Sequence, residues 1–328
     1  QRQGVTDTQD IEQLKASLGA RTHVLPCDLG DAAQTEQLLK NADMALYRAK
    51  ADGRGTYRFF EPAMDALIRE RRALELDLRK ALVNREFELY YQPFVNLERH
   101  EISGFEALIR WNHPERGPVA PLDFISVAEQ TALIMPIGEW VLRQACAEAV
   151  KWPSHISVAV NLSPAQFNVR NLPQLVMSAL AQTGLPAQRL ELEITESVLL
   201  LENETTMQTL HRLRNMGVRI SMDDFGIGYS SLSYLRSFPF DKIKIDRSFV
   251  HDLASNPDSQ AIVRAVTGLG SSLGMATTGE GVETQAELDY LTQHGCTEAQ
   301  GYFFGRPTPA REALELLSRQ IEAAKAVA

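Results

Sequence analysis

The chain has 328 residues, of which 44% are hydrophobic and 23% are charged, a balance typical of a folded globular protein. Its net charge of -9 argues against DNA or RNA as a partner, because broad nucleic-acid-binding surfaces depend on many lysine and arginine contacts with phosphates. The three cysteines, Cys27, Cys146 and Cys296, are too widely spaced for a metal-binding pair and fit a reducing compartment.

The hydropathy pattern shows neither a membrane-spanning run of about 18 apolar residues nor the basic, apolar and small-residue order of a signal peptide. We therefore expect a soluble, cytoplasmic chain without a membrane segment of its own. Because the sequence does not begin with Met, it could be part of a longer protein that is tethered to a membrane.

The first 33 residues predict a helix at 11–18, followed by a short strand and turn at 23–30. No glycine-rich phosphate loop precedes this strand, so a linker or a transplanted scaffold piece is favoured over a nucleotide-binding unit. The origin of this segment stays open.

Residues 35–60 predict a helix over 38–50 and a short strand over 57–60. The apolar stripe expected for this helix is Leu38, Leu39, Ala42, Ala45, Leu46 and Ala49. The segment resembles the last helix and strand of a GGDEF-type diguanylate cyclase domain. The Gly-Gly-Asp/Glu-Glu-Phe signature of that family is absent, which excludes cyclase activity here.

An amphipathic helix is predicted over residues 64–83, where leucines alternate with arginine and glutamate. A connecting helix that packs on its neighbour is the simpler interpretation, and a dimer-forming signalling helix is the alternative. We therefore divide the chain into an N-terminal segment (1–60), a linker helix (61–84) and a larger domain (85–328).

From residue 86 onwards, eight predicted strands alternate with helices, which indicates an α/β protein with a TIM-like (β/α)8 barrel. The connection at residues 96–100 is too short for a crossover helix, so the first strand should be antiparallel to the second. The predicted strands are 87–96, 101–110, 156–162, 189–196, 218–224, 242–246, 275–280 and 299–304. The predicted helices are 122–130, 136–151, 164–182, 203–216, 230–236, 258–273, 284–293 and 309–326.

Polar side chains stand at the carboxyl ends of these strands, where barrel enzymes carry their active sites. A single such residue is more often a surface group or a helix cap, but nearly every strand contributes one. In strand order they are Glu106, Arg110, Asn161, Glu193, Glu196, Asp223, Asp224, Lys244, Asp246, Glu280, Glu283 and Gln300.

Acidic groups gathered in a partly dry barrel mouth repel one another unless cations offset their charge. Oxygen ligands without His or Cys favour Mg²⁺ or Mn²⁺. The adjacent Asp223 and Asp224 allow one carboxylate to bridge two cations while its neighbour binds the second cation only, which suits phosphoryl chemistry. Lys244 could then hold the attacking water.

Seven ordered motifs between residues 75 and 326 resemble the EAL-domain cyclic di-GMP phosphodiesterases. They are Glu106-Ala-Leu-Ile-Arg-Trp111, Asn161-Leu-Ser163, Glu193-Ile-Thr-Glu196, Asp223-Asp-Phe-Gly226, Lys244-Ile-Asp246, Glu280-Gly-Val-Glu283 and Gln300-Gly-Tyr302. With the GGDEF-like segment, the chain resembles the C-terminal part of a bacterial GGDEF-EAL protein.

The resemblance implies hydrolysis of cyclic di-GMP to linear pGpG with two Mg²⁺ or Mn²⁺ ions per site, and a homodimer formed through the barrel. It implies that Glu106, Asn161, Glu193 and Asp223 bind one metal and that Asp223, Asp224 and Glu280 bind the other. Lys244 would touch the hydrolytic water, Arg110 a phosphate, and Gln300 the substrate pocket. Glu196 and Asp246 would support the site or its water, and Glu283 would anchor the loop after Asp224.

Two departures from the family pattern are Ile227 in the glycine-rich loop and the run Thr277-Thr-Gly-Glu280. Neither removes a metal ligand, although Ile227 could change the mobility of the loop. A receptor that binds cyclic di-GMP without hydrolysing it is the main alternative, but such receptors typically lose ligands that this chain keeps. A purely structural module has little support from so many acidic groups.

Overall fold

A computed structural model of the chain describes residues 31–51, 57–168, 171–199, 204–226, 238–253 and 255–327. The helix and strand predicted within residues 1–30, the helix predicted at 230–236 and Ile227 lie outside these ranges. Within the described part of the chain, none of the helices has the length and hydropathy needed to span a membrane.

Contacts divide the chain into two compact units, Gln1–Leu74 and Glu75–Ala328. The first unit contains α1 (Ala32–Ala51), and α2 (Pro62–Asn84) begins there and ends in the second unit. Both helices were predicted. The stripe expected on α1 is only partly correct, because Ala45 and Ala49 are buried while Leu39 and Leu46 are exposed.

The strand predicted at residues 57–60 is wrong, since this segment has no regular secondary structure. Tyr57 and Phe59 are exposed, and their rings meet edge to face with 5.5 Å between centroids. A strand needs a partner for its backbone groups, and none of the described strands pairs with these residues. The described residues of the N-terminal unit therefore contain helices and no strand, while the strand predicted within residues 23–30 lies outside them.

The second unit contains a closed barrel of eight strands. The barrel strands are β1 (Phe87–Asn96), β2 (Glu101–His113), β4 (Ser157–Leu162), β5 (Leu190–Thr195), β6 (Arg219–Phe225), β7 (Lys242–Ile245), β8 (Ala276–Gly279) and β9 (Glu298–Gln300). Seven of them follow the order β2-β4-β5-β6-β7-β8-β9, and β1 closes the ring by pairing with β2 and with β9. Two short strands outside the barrel pair with it: β3 (Gly117–Val119) is antiparallel to β2, and β10 (Thr308–Pro309) is antiparallel to β1.

β1 is antiparallel to both of its neighbours, which confirms the prediction from the short connection after it. Its Phe94 pairs with Gly104 on β2 and with Gln300 on β9. The remaining barrel strands are parallel. The chain therefore forms a TIM-like barrel with one reversed strand.

The described helices of the second unit are α3 (Pro121–Gln130), α4 (Ile134–Ala149), α5 (Pro164–Phe167), α6 (Leu172–Thr183), α7 (Glu196–Leu199), α8 (Glu204–Asn215), α9 (Arg247–Val250), α10 (Pro257–Leu273), α11 (Gln285–Gln293) and α12 (Ala310–Val327). They agree with the sequence pattern, with two differences. The helix predicted over 164–182 is two helices, α5 and α6, because Pro173 favours a new start in its first turn. Short helices α7 and α9 follow β5 and β7, where none was expected.

The strands alternate between apolar and polar residues although both of their faces are buried. On β7, for example, the apolar residues Ile243 and Ile245 alternate with Lys242 and Lys244, and all four are buried. Because successive side chains point to opposite faces of a strand, one face packs under the helices and the other fills the barrel interior. The polar residues therefore lie inside the barrel.

Candidate active site

The strand ends bring the predicted residues together at one rim of the barrel. Eight of them lie within strands, and Arg110 stands further along β2 than Glu106: they are Glu106 and Arg110 (β2), Asn161 (β4), Glu193 (β5), Asp223 and Asp224 (β6), Lys244 (β7) and Gln300 (β9). The others lie just beyond a strand: Glu196 at the start of α7, Asp246 before α9, Glu280 after β8 and Glu283 before α11.

Lys244 lies among four carboxylates. Its Nζ atom is 2.6 Å from Glu280 Oε1, 2.9 Å from Glu193 Oε2 and 3.1 Å from Asp223 Oδ1. Glu106 Oε2 is 3.9 Å away. The ammonium side chain is almost fully buried, so these ion pairs are shielded from solvent.

One ammonium group does not offset the charge of four carboxylates. Burial lowers the pKa of Lys244, but the surrounding carboxylates outweigh this effect and raise it well above its usual value. Burial raises the pKa of Glu193, and Glu106 and Asp223 raise it further, against the effect of Lys244. Burial and the same two neighbours also raise the pKa of Glu280, although Lys244 opposes them. The site therefore favours additional positive charge.

The Asp223-Asp224 step departs from regular strand geometry. The pairing of β6 with β7 shifts register between Met222 and Phe225, and Asp224 has a positive φ of 55°. The backbone N–H of Asp224 donates to Asp223 Oδ1 at 3.0 Å. A bulge of this kind redirects a side chain, so two consecutive carboxylates reach the same site.

Asp223, Asp224 and Glu280 each offer a carboxylate oxygen, and these three atoms lie within 4.8 Å of one another. Partial burial and the adjacent Asp223 raise the pKa of Asp224, as expected for carboxylates that crowd together. Oxygen donors in such a cluster fit a hard divalent cation. The residues at this rim therefore fit the metals that the acidic motifs predict.

Glu106 is held from two sides by amides. Asn161 Nδ2 donates to Glu106 Oε1 at 2.6 Å, and Gln300 Nε2 donates to Glu106 Oε2 at 2.7 Å. Gln300 Nε2 also lies 3.3 Å from Gln92 Oε1, and Gln92 Nε2 donates to the carbonyl of Gly305. These bonds fix the orientation of the Glu106 carboxylate.

A cavity of about 450 Å³ opens beside this cluster. Glu106, Glu280 and Gln300 form part of its wall. The wall also contains residues that the strand ends did not predict, which are Gln92, Arg247, Ser248, His251 and Tyr302. The sequence signal for Arg247 and Ser248 was their position directly after Asp246.

Glu196 and Asp246 contact backbone groups near the site. Glu196 Oε1 accepts a hydrogen bond from Gly226 N at 3.0 Å, at the start of the segment that follows Asp224. Asp246 Oδ1 accepts from Ser248 N at 2.8 Å and caps α9. Both carboxylates thus fix main-chain turns at the rim.

Glu283 and Arg110 lie at the edge of the assembled site. Glu283 is exposed and lines the cavity, and the segment that it was expected to anchor falls mostly outside the described residues. Arg110 Nη1 donates to the carbonyl of Ile109 at 2.9 Å, and its guanidinium carbon lies 5.2 Å from the centroid of the Tyr90 ring. Arg110 is not part of the cavity wall described above.

Comparison with known proteins places this barrel in a family. A family profile described as "EAL: EAL domain" matches residues 75–307. The chain is 44% identical over 289 residues to the "Bifunctional diguanylate cyclase/cyclic di-GMP phosphodiesterase MucR" of Pseudomonas aeruginosa, a match that covers 87% of this chain and 42% of that protein. It is 38% identical over 293 residues to the "Cyclic di-GMP phosphodiesterase PdeR" of Escherichia coli, covering 87% of this chain and 44% of that protein.

The solved structure described as "PaMucR Phosphodiesterase, c-di-GMP complex" superposes on this chain with a TM-score of 0.71 and 43% sequence identity, over 74% of this chain and 100% of that one. The chain spans less than half the length of the two curated relatives. The match to the family profile covers most of the chain and includes every rim residue named above. The chain therefore belongs to the EAL-domain family.

Proposed function

We propose that the barrel hydrolyses cyclic di-GMP to linear pGpG with two bound divalent cations, Mg²⁺ or Mn²⁺. The observation that carries this proposal is the cluster of the Asp223, Asp224 and Glu280 carboxylates beside the buried Lys244. Two relatives are named as cyclic di-GMP phosphodiesterases, which supports the choice of substrate.

Six residues would hold the metals in this proposal. When bound, the cations would polarise the phosphate and lower the pKa of a bound water. Glu106, Asn161, Glu193 and Asp223 would bind the first cation, and Asp223, Asp224 and Glu280 the second. Asn161 uses its amide N–H₂ group to bind Glu106, which leaves its carbonyl oxygen as the atom suited to a cation.

Lys244 would orient the hydrolytic water in this site. Because its pKa is raised, Lys244 stays protonated at neutral pH and can donate a hydrogen bond to the water oxygen and stabilise negative charge on the phosphate. A protonated ammonium cannot act as the general base. We assign the roles of electrostatic stabiliser and hydrogen-bond donor to Lys244.

The remaining rim residues would bind the substrate or support the site. Arg110 would contact a phosphate and Gln300 the bound nucleotide. Glu196 supports this site through Gly226, and Asp246 through the start of α9. Glu283 would hold the segment after Asp224 on the open side of the cavity.

The decisive experiment is incubation of the purified chain with cyclic di-GMP and Mn²⁺, followed by chromatography of the products. We expect linear pGpG, loss of the product with excess EDTA, and recovery when Mn²⁺ is added back in excess. Tight binding of cyclic di-GMP without product would instead identify a non-hydrolysing receptor. The variant Glu315→Gln, which changes an exposed ion pair with Arg311 on α12, serves as a control that should retain activity.

We further propose that α1 is part of a GGDEF-type domain and that the longer protein is a cytoplasmic homodimer whose barrels form the contact. The match to MucR covers 87% of the chain, which is more than residues 75–328 contain, so the similarity extends before residue 75. The name of MucR includes diguanylate cyclase, which supports a GGDEF origin for the upstream residues. Light scattering of the purified chain would test the dimer.

A further inference from the structure

A second cluster of buried charges lies inside the barrel below the candidate site. Lys242 Nζ is 2.8 Å from Glu191 Oε1 and 2.6 Å from Glu298 Oε2. These three side chains come from β7, β5 and β9, and each residue is at most 9% exposed. We call these residues the inner ion cluster.

The inner ion cluster contacts further strands. Lys242 Nζ lies 4.3 Å from the centroid of the Phe94 ring on β1. Glu298 also accepts hydrogen bonds from Ser103 Oγ on β2 at 2.7 Å and from Thr278 Oγ1 on β8 at 3.2 Å. A single lysine and its partners therefore connect six of the eight barrel strands.

Each strand that meets Lys242 directly carries a rim residue two positions away. Glu191 precedes Glu193 on β5, Lys242 precedes Lys244 on β7, and Glu298 precedes Gln300 on β9. On the reversed strand β1, the same relationship joins Phe94 to Gln92. Since side chains two residues apart share a face, the inner ion cluster lies directly below the rim residues.

Stability alone does not account for this arrangement. Barrel interiors are commonly filled by branched apolar side chains, and a buried ion pair is often no more stabilising than apolar residues of similar volume. A charged lysine with two carboxylates does, however, restrict the strands to an alignment in which all three groups meet. A shift of one strand would leave a buried charge without its partner, which is strongly unfavourable.

We propose that Lys242 is a positioning residue, which fixes the alignment of β5, β7 and β9 so that their rim residues meet in the geometry needed for metal binding and hydrolysis. The rim contacts that depend on it are Lys244 to Glu193 at 2.9 Å and Gln300 to Glu106 at 2.7 Å. This inference rests on the proposed function for its effect on turnover, but its effect on metal binding is measured without substrate.

The test compares wild type with a neutral triple variant, Lys242→Met, Glu191→Gln and Glu298→Gln. The triple variant removes all three charges of the inner ion cluster together. Arg219, whose Nε atom lies 4.0 Å from Glu191 Oε2, loses this partner but is 40% exposed to solvent, so a loss of folding is not expected from charge burial. Calorimetry with Mn²⁺ alone reports the metal affinity, thermal unfolding reports stability, and steady-state kinetics report kcat and KM.

We expect the triple variant to unfold cooperatively and to bind Mn²⁺ about 10- to 100-fold more weakly, as for changes to groups that orient metal ligands. We expect kcat to fall by a similar factor. The single variant Lys242→Arg, which keeps a positive charge between the carboxylates of Glu191 and Glu298, should retain more of both values than the triple variant. The exposed Lys151→Met, which also removes one lysine, is the matched control and should change neither value.

Wild-type Mn²⁺ affinity and kcat in the folded triple variant would overturn the proposal. If the triple variant does not fold, the single variant Glu191→Gln takes its place in the test, because Lys242 still has Glu298 as an ion-pair partner in that variant. Unchanged Mn²⁺ affinity in Glu191→Gln would overturn the proposal equally. Absence of pGpG with the wild-type chain would contradict the proposed function, while the calorimetric comparison would still decide the role of Lys242.

Discussion

Lys244 Nζ lies 2.6 Å from Glu280 Oε1, the shortest of the four ion pairs that this ammonium group makes. The lysine comes from β7 and the glutamate follows β8, while the other partners come from β2, β5 and β6. Lys244 thus acts as an internal counter-ion that joins five neighbouring parts of the rim. It holds together the carboxylates that would bind metal.

We predict that Lys244→Met lowers stability without metal and abolishes turnover. Removing one partner of a buried charge cluster costs about 3 kcal/mol or more. For a domain of this size we expect the melting temperature to fall by roughly 10 °C. Because the carboxylates would then lack their counter-ion, saturating Mn²⁺ should raise the melting temperature of this variant more than that of wild type.

The measurement is thermal unfolding with EDTA and with Mn²⁺, together with the pGpG assay. Lys151→Met, at an exposed position just after α4, is the control and should show a wild-type shift with Mn²⁺. An equal Mn²⁺ shift in Lys244→Met and wild type would contradict the role of Lys244 as a counter-ion.

We predict that Glu106→Gln lowers kcat by about 100-fold or more while the protein stays folded. The substitution replaces a proposed direct metal ligand, and changes to groups that only orient metal ligands already lower activity by about 10- to 100-fold. The amide has nearly the same shape as the carboxylate and can still accept one of its two hydrogen bonds, from Asn161 or Gln300. Kinetics and circular dichroism measure the two effects. Wild-type turnover in the folded variant would remove Glu106 from the site.

The alternation of strands and helices was sufficient to predict the barrel and most of the rim, and the short connection after β1 predicted the reversal of that strand. Gln92 was missed for a physical reason. The prediction of rim residues rests on the carboxyl ends of strands, but β1 runs in the opposite direction, so its residues reach the rim from a different part of the strand. The reversal had been predicted, but its consequence for Gln92 was not.

The Asp223-Asp224 step shows a limit of reasoning from periodicity. Alternation places consecutive side chains on opposite faces of a regular strand, so it does not explain how two adjacent ligands reach one site. In the structure, a register shift and a positive φ at Asp224 bring the two carboxylates together. Aspartate tolerates that backbone conformation better than most residues, but the sequence contains no signal that requires it.

We predict opposite effects of alanine at two glycines. A Cβ atom at Gly301 would overlap the backbone of Val282, so Gly301→Ala should be strongly destabilising and should disturb the adjacent Gln300. Gly268 is an exposed position within α10 where a Cβ meets no atom within 4 Å. Gly268→Ala should therefore stabilise the protein by about 0.5–1 kcal/mol. Urea unfolding of both variants measures this contrast, and a neutral Gly301→Ala would show that the backbone there can move.

We predict that the stabilising effect of Glu298 depends on pH. Burial raises the pKa of Glu298, but Lys242 and the hydroxyl groups of Ser103 and Thr278 outweigh it, and the pKa falls below its ordinary value of 4.5. A carboxyl group whose pKa is lowered by folding stabilises the folded state above its unfolded pKa, and this contribution is lost as the pH falls through the folded value. The free energy of unfolding of wild type should therefore exceed that of Glu298→Gln by a constant difference at pH values well above 4.5. The difference should shrink as the pH falls below that value, because protonated Glu298 then resembles glutamine.

Urea unfolding of both proteins across this pH range measures the difference in the free energy of unfolding. Glu315→Gln, at an exposed pair with Arg311, is the control and should show only a small effect. A difference between wild type and Glu298→Gln that grows on acidification would contradict the assigned charge of the inner ion cluster.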